Sequence, residues 1–388
     1  MRCSQLSFSF TMALLFISMV LGPAIANQMP VGEITEIKGP VELVKDDGRQ
    51  IRAEKGTPLF PGDQIITGKG GMVWFSFKQG DQYRLGEESQ TSIDELSGPE
   101  LEDNQPVLQL ALGYLWSKIQ KLRGQLHRTV VHTPTAVLGV RGTEFETVVS
   151  LDATSIVTVD DGTVEVEAED EKTLVDRGKM TEVELDKKAI TPVQAIPKDR
   201  RDWKRWRKRK IKRLFKHLPQ KAPKFRERFE MRADRFSQFT ARIRKTSARI
   251  DTTIKQIRQA RRHRDRQKAL ESLVQLKVQA QKFKKMVAKF RKALNRVRVM
   301  GRLSHRLEKF ASNNKERFSE QEFSVIDSNL AAVSEKRARL KTVTRNTVFS
   351  IKKTFKKLRK FREELRTIKP AANPHNPNRM TLRVDQGL

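Results

Sequence analysis

The sequence holds a single cysteine, Cys3, and six scattered histidines in 388 residues. That inventory cannot build an intrachain disulfide framework or a cysteine-based zinc cluster. No HExxH pair, Gly-rich phosphate loop or Ser/His/Asp order occurs. The sequence therefore gives no grounds for an enzyme and no cofactor or metal is expected. Between positions 224 and 369 there is no Pro, and the only Gly is Gly301. Long apolar runs are scarce too. The one clear run, residues 8–21, is shorter than the ~20 residues of a spanning helix. Hydrophobic residues are 37% of the chain, too many for a disordered protein and too few for a multispanning one.

Acid is scarce as well: 46 Asp and Glu stand against 78 Lys and Arg, a net charge of +32. The imbalance is uneven. Residues 28–198 carry 19 basic and 29 acidic side chains, net −10, and residues 199–388 carry 58 and 17, net +41. An acidic half joined to a basic half implies two domains. At the N-terminus, Arg2, the apolar run, Gly22-Pro23 and the small-x-small sequence Ala24-Ile25-Ala26 read as an export signal over 1–26. Cleavage near Ala26 would deliver the mature chain to the periplasm, the cell envelope or the outside.

Residues 31–190 read as all-β. Val73, Phe75 and Phe77 alternate with Trp74 and Ser76, and Phe145, Thr147 and Val149 alternate with Glu144, Glu146 and Val148. Such alternation puts one face on a core. Asp47-Gly48, Pro61-Gly62-Asp63, Gln79-Gly80-Asp81 and Asp161-Gly162 punctuate the runs with turn chemistry. The polar stretch 97–106 reads as a loop between two β lobes. Leu108, Leu112, Leu115 and Ile119 fall at helical spacing, so a short helix is expected within 108–126. His127 and His132 match no metal spacing and are expected at the surface or rim.

The first lobe carries Gly62-Asp63-x-Ile65-x-Thr67-Gly68 and the second Arg141-Gly142-Thr143-x-Phe145, followed by Asp161-Gly162-x-Val164-x-Val166. In this order the motifs resemble the FecR domain over about residues 31–180. The resemblance implies an extracytoplasmic β domain, stacked like a short solenoid or sandwich. In such proteins it senses an envelope transporter and passes the signal to a sigma-factor system. Gly62, Asp63, Thr67, Gly68, Gly142, Thr143 and Phe145 read as structural. Arg141 needs a partner if buried, with Glu144, Glu146 and Asp161 close in sequence.

Residues 199–218 hold the densest charge. Trp203, Trp206, Ile211, Leu214, Phe215 and Leu218 gather on one side of a helix, opposed by Arg205, Arg207, Lys208, Arg209, Lys210, Lys212 and Arg213. This is the pattern of a basic amphipathic helix on an anionic surface, or of one packing its Trp face on the neighbouring domain. Pro219 and Pro223 are expected to end it. Over 223–369 the apolar period becomes heptad, for example Leu276, Ala280, Phe283, Val287, Phe290, Leu294 and Val297. Breaks near 261–268 and 311–314 give three helices, about 223–260, 266–311 and 316–369, in an antiparallel coiled coil; the alternative is one helix across 261–268 with an intermolecular partner and self-association. The tail 370–388 reads as disordered.

The whole is α+β in separate domains. The function expected from it is binding or scaffolding. The β domain would engage an envelope protein or glycan, and the helices an anionic envelope component such as lipid, lipopolysaccharide or cell wall. The alternative is an envelope signalling component. Phe in the seams argues against nucleic acid, which needs exposed aromatics. The helices' charge needs counter-ions, and the acidic domain is itself a candidate, within one molecule or head-to-tail.

Overall fold

The computed structural model describes residues 29–97, 106–121, 128–169, 171–185, 190–197 and 202–366. The export signal, most of the 97–106 loop, His127 and the tail from 370 lie outside the described residues.

The first unit is a sandwich whose two sheets share one strand. In spatial order, one sheet runs Pro58–Leu59, Gly32–Lys38, Met72–Phe77, Gln82–Leu85, Val107–Lys118, Glu144–Val149, Ser155–Asp161, Lys179–Val183 and Gln194–Ala195. The other runs Gln50–Arg52, Val41–Val44, Gln64–Thr67, Gln90–Ile93, Val107–Lys118, Thr129–His132, Val137–Val140, Thr163–Ala168 and Glu171–Asp176. All these pairs are antiparallel except Val107–Lys118 with Thr129–His132. Alternate residues such as Ile34, Phe75, Phe145, Val157 and Val164 fill the space between the sheets, as period-2 patterning requires. Tyr83 stacks on Phe75 with ring centroids 5.0 Å apart.

Val107–Lys118 overturns the expected helix within 108–126. Its first five residues are all buried and the rest alternate. Each half of this strand lies central in a different sheet. A strand covered on both faces loses its alternation and can imitate helical spacing. The change of sheet occurs at Gly113, whose φ is +99°. A Cβ there would lie 2.0 Å from Ser89 Oγ, and Ser89 Oγ accepts the Tyr114 N–H at 3.0 Å.

Three helices follow: α1 (Trp203–Arg262), α2 (Arg266–Ser312) and α3 (Glu320–Arg366). They pack pairwise into one bundle. Asp202 caps α1 by accepting the Arg205 N–H at 2.9 Å, and Asp265 caps α2 by accepting the Lys268 N–H at 3.0 Å. Ser319 and Glu322 form a reciprocal capping box at α3, which supplies partners for otherwise orphaned donors. The turns fall where the heptad phase breaks. Phe236, Ile243, Ile250, Phe283, Phe290, Ile326 and Ile351 are fully buried seam residues.

One boundary is corrected. Pro219 and Pro223 lie inside α1, which spans 60 residues and roughly 90 Å, so the basic junction and the first bundle helix are one element. The prolines leave the Phe215 and Pro219 carbonyls without their helical donors. The buried row Leu214, Leu218, Ala222, Phe225 and Phe229 runs past both positions, and its packing keeps the helix continuous. Among the described residues, no helix is long and apolar enough to cross a membrane.

Gly113→Ala is expected to destabilise the protein by about 2–4 kcal/mol through strain and overpacking together. Gly178→Ala, also at positive φ but with nothing within 4 Å of its Cβ, isolates the strain, about 1 kcal/mol. Urea denaturation of both variants separates the two contributions.

Candidate functional site

Most of the family-motif residues sit in the packing and hydrogen bonding of the sandwich. Asp63 is 1% exposed, and its Oδ2 accepts from the Phe60 N–H at 2.9 Å and from Lys45 Nζ at 2.8 Å. Burial raises its carboxyl above the ordinary value, against the pull of Lys45. Thr67 Oγ1 donates to the Gly86 carbonyl at 2.5 Å and accepts the Ser89 N–H at 2.9 Å. Thr143 Oγ1 donates to the Thr163 carbonyl at 3.0 Å. Gly62 and Gly142 have positive φ, and a Cβ on Gly68 would crowd Pro40. Phe145 is in the core. Arg141 is exposed, so its charge needs no buried partner. The buried polar joint of the sandwich is Asp81, which sequence reasoning took only for a turn residue. Its Oδ2 accepts from Thr129 Oγ1 at 2.8 Å and its Oδ1 from the Gln120 N–H at 2.9 Å.

The residues expected to meet an anionic surface divide. Trp203 and Trp206 are buried against Val148, Ile156 and Met180 of the sandwich. Trp203 Nε1 donates to Glu146 Oε2 at 2.9 Å. Lys210 pairs with Glu182 at 2.7 Å, and Arg207 donates to the Glu87 carbonyl at 3.1 Å. These four side chains face the sandwich. Arg205, Lys208, Arg209, Lys212 and Arg213 remain on the surface, Arg205, Lys208, Arg209, Lys212 and Arg213 all being exposed. Of the two readings of this helix, the structure shows its Trp face packed on the neighbouring domain. The docking also buries Val148, which lies on the outer side of its strand.

The contact continues along α1 and α2. Arg232, 6% exposed and occupying a seam slot in the heptads, donates to the Pro134 carbonyl at 2.6 Å and to Glu169 Oε1 at 2.8 Å. Arg228 joins the same carboxylate at 3.2 Å. Glu169 sits at φ +48°, a conformation an L-residue adopts at a cost, and its ion pairs help to hold it there. On α2, Arg291 pairs with the fully buried Asp94 and donates to Ser97 Oγ at 2.8 Å. Lys292 and Arg296 converge on Glu167 at 2.5 and 2.9 Å, and Arg298 meets Glu95 at 2.7 Å. Gln109 Nε2 donates to Asn295 Oδ1 at 2.7 Å. Burial pushes the Glu167 and Glu169 carboxyls up. Lys292 and Arg296 at the first, and Arg232, Arg296 and Arg228 at the second, outweigh it and hold both below their ordinary values. Apolar packing runs through the same contact: Leu96, Leu151, Ala153 and Leu185 of the sandwich belong to the core cluster of the bundle.

His132 is corrected from a surface residue to one 3% exposed. It lines a cleft of about 290 Å³ between the sandwich and α2, with Arg128, Glu165, Glu167, Lys292 and Asn295. Its place in a strand that faces α2 buries it. Burial first, then Arg296, Arg291, Lys292 and Arg232, hold its pKa well below the ordinary 6.5. A charged residue in a heptad seam position, Arg232, is the sequence signal that something other than the bundle core is contacted there.

Residues 63–165 match the family described as FecR protein, so the sandwich contains a FecR domain spanning both halves and the shared strand. Among curated proteins none matches the chain. Two crystal structures described as an anti-sigma factor from Parabacteroides distasonis are each similar at 16% identity. Each match covers 34% of this chain and 59% of that one, at a TM-score of 0.30. The chain thus spans less than two thirds of those proteins. A structure described as a cell surface anchoring domain is 29% identical over 16% of this chain and 82% of its own, at a TM-score of 0.16.

Arg291→Met leaves Asp94 buried without its cation and is expected to cost about 3–5 kcal/mol. Adding Asp94→Asn should recover most of the loss, measured by urea denaturation. For His132, the unfolded chain takes up a proton near 6.5 while the folded protein does not. Its contribution to stability is therefore complete above that value and is lost as pH falls towards the lower folded value. Between about pH 7.5 and about pH 5.5, wild type should lose stability and His132→Gln less, and Glu167 and Glu169, held below their ordinary values, do not contribute to the difference over that range.

Proposed function

We propose that this protein is a non-catalytic signalling component of the bacterial cell envelope. In this reading the FecR sandwich receives a protein partner and the basic helices, docked on its other surfaces, form the responding module. The observation that carries this reading is the FecR match across residues 63–165, which covers the strand common to both sheets. The family's association with the envelope supports a location there, and the export signal expected at 1–26 agrees with it.

The sandwich offers a place for a partner. Glu171–Asp176 is the last strand of its sheet and pairs only with Thr163–Ala168 among the described residues. Four of its six residues are exposed, and Leu174 is 60% exposed. An open edge with an exposed apolar side chain suits strand addition by an extended segment of another protein. Deleting the gene should change the transcription of a restricted gene set, and Leu174→Lys, at a position that contributes nothing to the core, should reproduce the change. Unaltered transcripts on deletion under envelope stress and under transporter induction would overturn the signalling role.

A second reading, attachment of the protein to an anionic envelope surface, is supported by the exposed Arg205, Lys208, Arg209, Lys212 and Arg213. Co-sedimentation of the full protein with anionic vesicles or cell-wall sacculi should then weaken with salt and with charge removal at these five positions. Replacing Trp203 and Trp206 would test docking instead, since both face the sandwich.

A further inference from the structure

Where the sandwich meets the helices, most interface cations have a carboxylate: Lys210 has Glu182, Arg232 has Glu169, Arg291 has Asp94 and Arg296 has Glu167. One place departs from that pattern. A cleft of about 500 Å³ opens between the first half of the sandwich, α2 and α3, and Arg298, Arg302, Arg337 and Lys341 line it together with Gln64 and Gln90. Among the described residues, no carboxylate lines it. Arg298 uses Glu95, at 2.7 Å. Arg302 donates to the side-chain oxygens of Gln64, at 3.2 Å, and Gln109. Arg337 donates to the Gly301 carbonyl at 2.5 Å. Both guanidinium groups thus spend hydrogen bonds on neutral oxygens. Lys341 is exposed at the mouth. His305 also reaches the cleft, and Glu308, 3.7 Å from it, stands at the margin and accepts from Ser334 at 3.1 Å.

We infer that this cleft is a binding site for a phosphate-bearing ligand, held by the forks of Arg302 and Arg337 and by the ammonium of Lys341. A guanidinium presents paired donors matched to two oxygens of one phosphate, and a lysine adds a point charge. Several cations facing one concave space favour a multiply charged oxyanion over a single carboxylate. The volume exceeds one inorganic phosphate, so the ligand carries more than one phosphate or a phosphate with a headgroup. Burial and the neighbouring Arg298 push Arg302 down to about 9, burial lowers Arg337, and burial with Arg337 and Lys309 lowers His305. A bound anion would relieve all three. Because the walls come from the sandwich and two helices, occupancy also clamps the helices in their docked position. This inference is independent of the partner proposed for the sheet edge.

The test is isothermal titration calorimetry of the full protein with pyrophosphate at constant ionic strength. Saturable binding of one equivalent is expected. Lys341→Gln, an exposed position that should leave folding intact, should weaken it, and Arg337→Gln with Lys341→Gln should weaken it by about tenfold or more. Lys208→Gln with Arg209→Gln, outside the cleft, should leave it unchanged. A parallel arm compares vesicles of phosphatidic acid with vesicles of phosphatidylglycerol matched in surface charge. A preference for phosphatidic acid that requires Arg337 and Lys341 identifies a lipid headgroup, and pyrophosphate binding without that preference identifies a soluble phosphate. Absence of saturable binding in both arms, or equal weakening by the Lys208/Arg209 pair, would overturn the site and leave only diffuse attraction of polyanions.

Discussion

The placement of the helices on the sandwich depends on the pairing of carboxylates on the sandwich with cations on α1 and α2. A helical half with net charge +41 pays a self-repulsion that its own 17 acids cannot offset. The sandwich presents Glu87, Asp94, Glu95, Glu167, Glu169 and Glu182 along the docking surface, and each meets a lysine or arginine of the helices. The pairs are directional and sit beside an apolar contact that includes Leu96, Leu151, Trp203 and Trp206. Apolar burial supplies most of the driving force, and the ion pairs select one arrangement, since a shift would leave Asp94 or Arg232 buried without a partner.

This neutralisation is local. The total charge of the sandwich is far smaller than that of the helices, so most helical cations stay on the surface. The molecule therefore has two kinds of positive charge. One kind is used internally and sets the position of the helices. The other stays exposed along α1, as at Arg205, Lys208, Arg209, Lys212 and Arg213. Charge density alone does not separate the two kinds; the position of each carboxylate does.

Much of the architecture was legible. Period-2 runs gave the strands around Phe75, Phe145 and Val164, and heptad runs gave the helices, with breaks at 261–268 and 311–314 close to the observed turns. The FecR motifs located the family match. Three readings failed for one shared reason, the presence of a second surface that local sequence does not contain. Val107–Lys118 is buried on both faces in its first half, so its apolar residues mimicked a helix. Pro219 and Pro223 look like terminators, but the packed row through Leu218 and Ala222 carries α1 past them. His132 looked like a rim residue because the helix that covers it begins more than 130 positions later.

The sequence by itself determined most of the elements and their order, the acidic and basic halves and the family of the β domain. Hydrophobic period, turn chemistry and motif spacing are local properties, readable within a window of a few residues. Only the tertiary structure decided which cations are spent on the sandwich and which face solvent, that both junction tryptophans point inward, and that four cations from two helices share one cleft. Those outcomes depend on contacts between residues separated by up to 238 positions, as in the pair of Gln64 and Arg302. A charge has no periodicity that reveals its partner, because electrostatic pairing is fixed by distance in space.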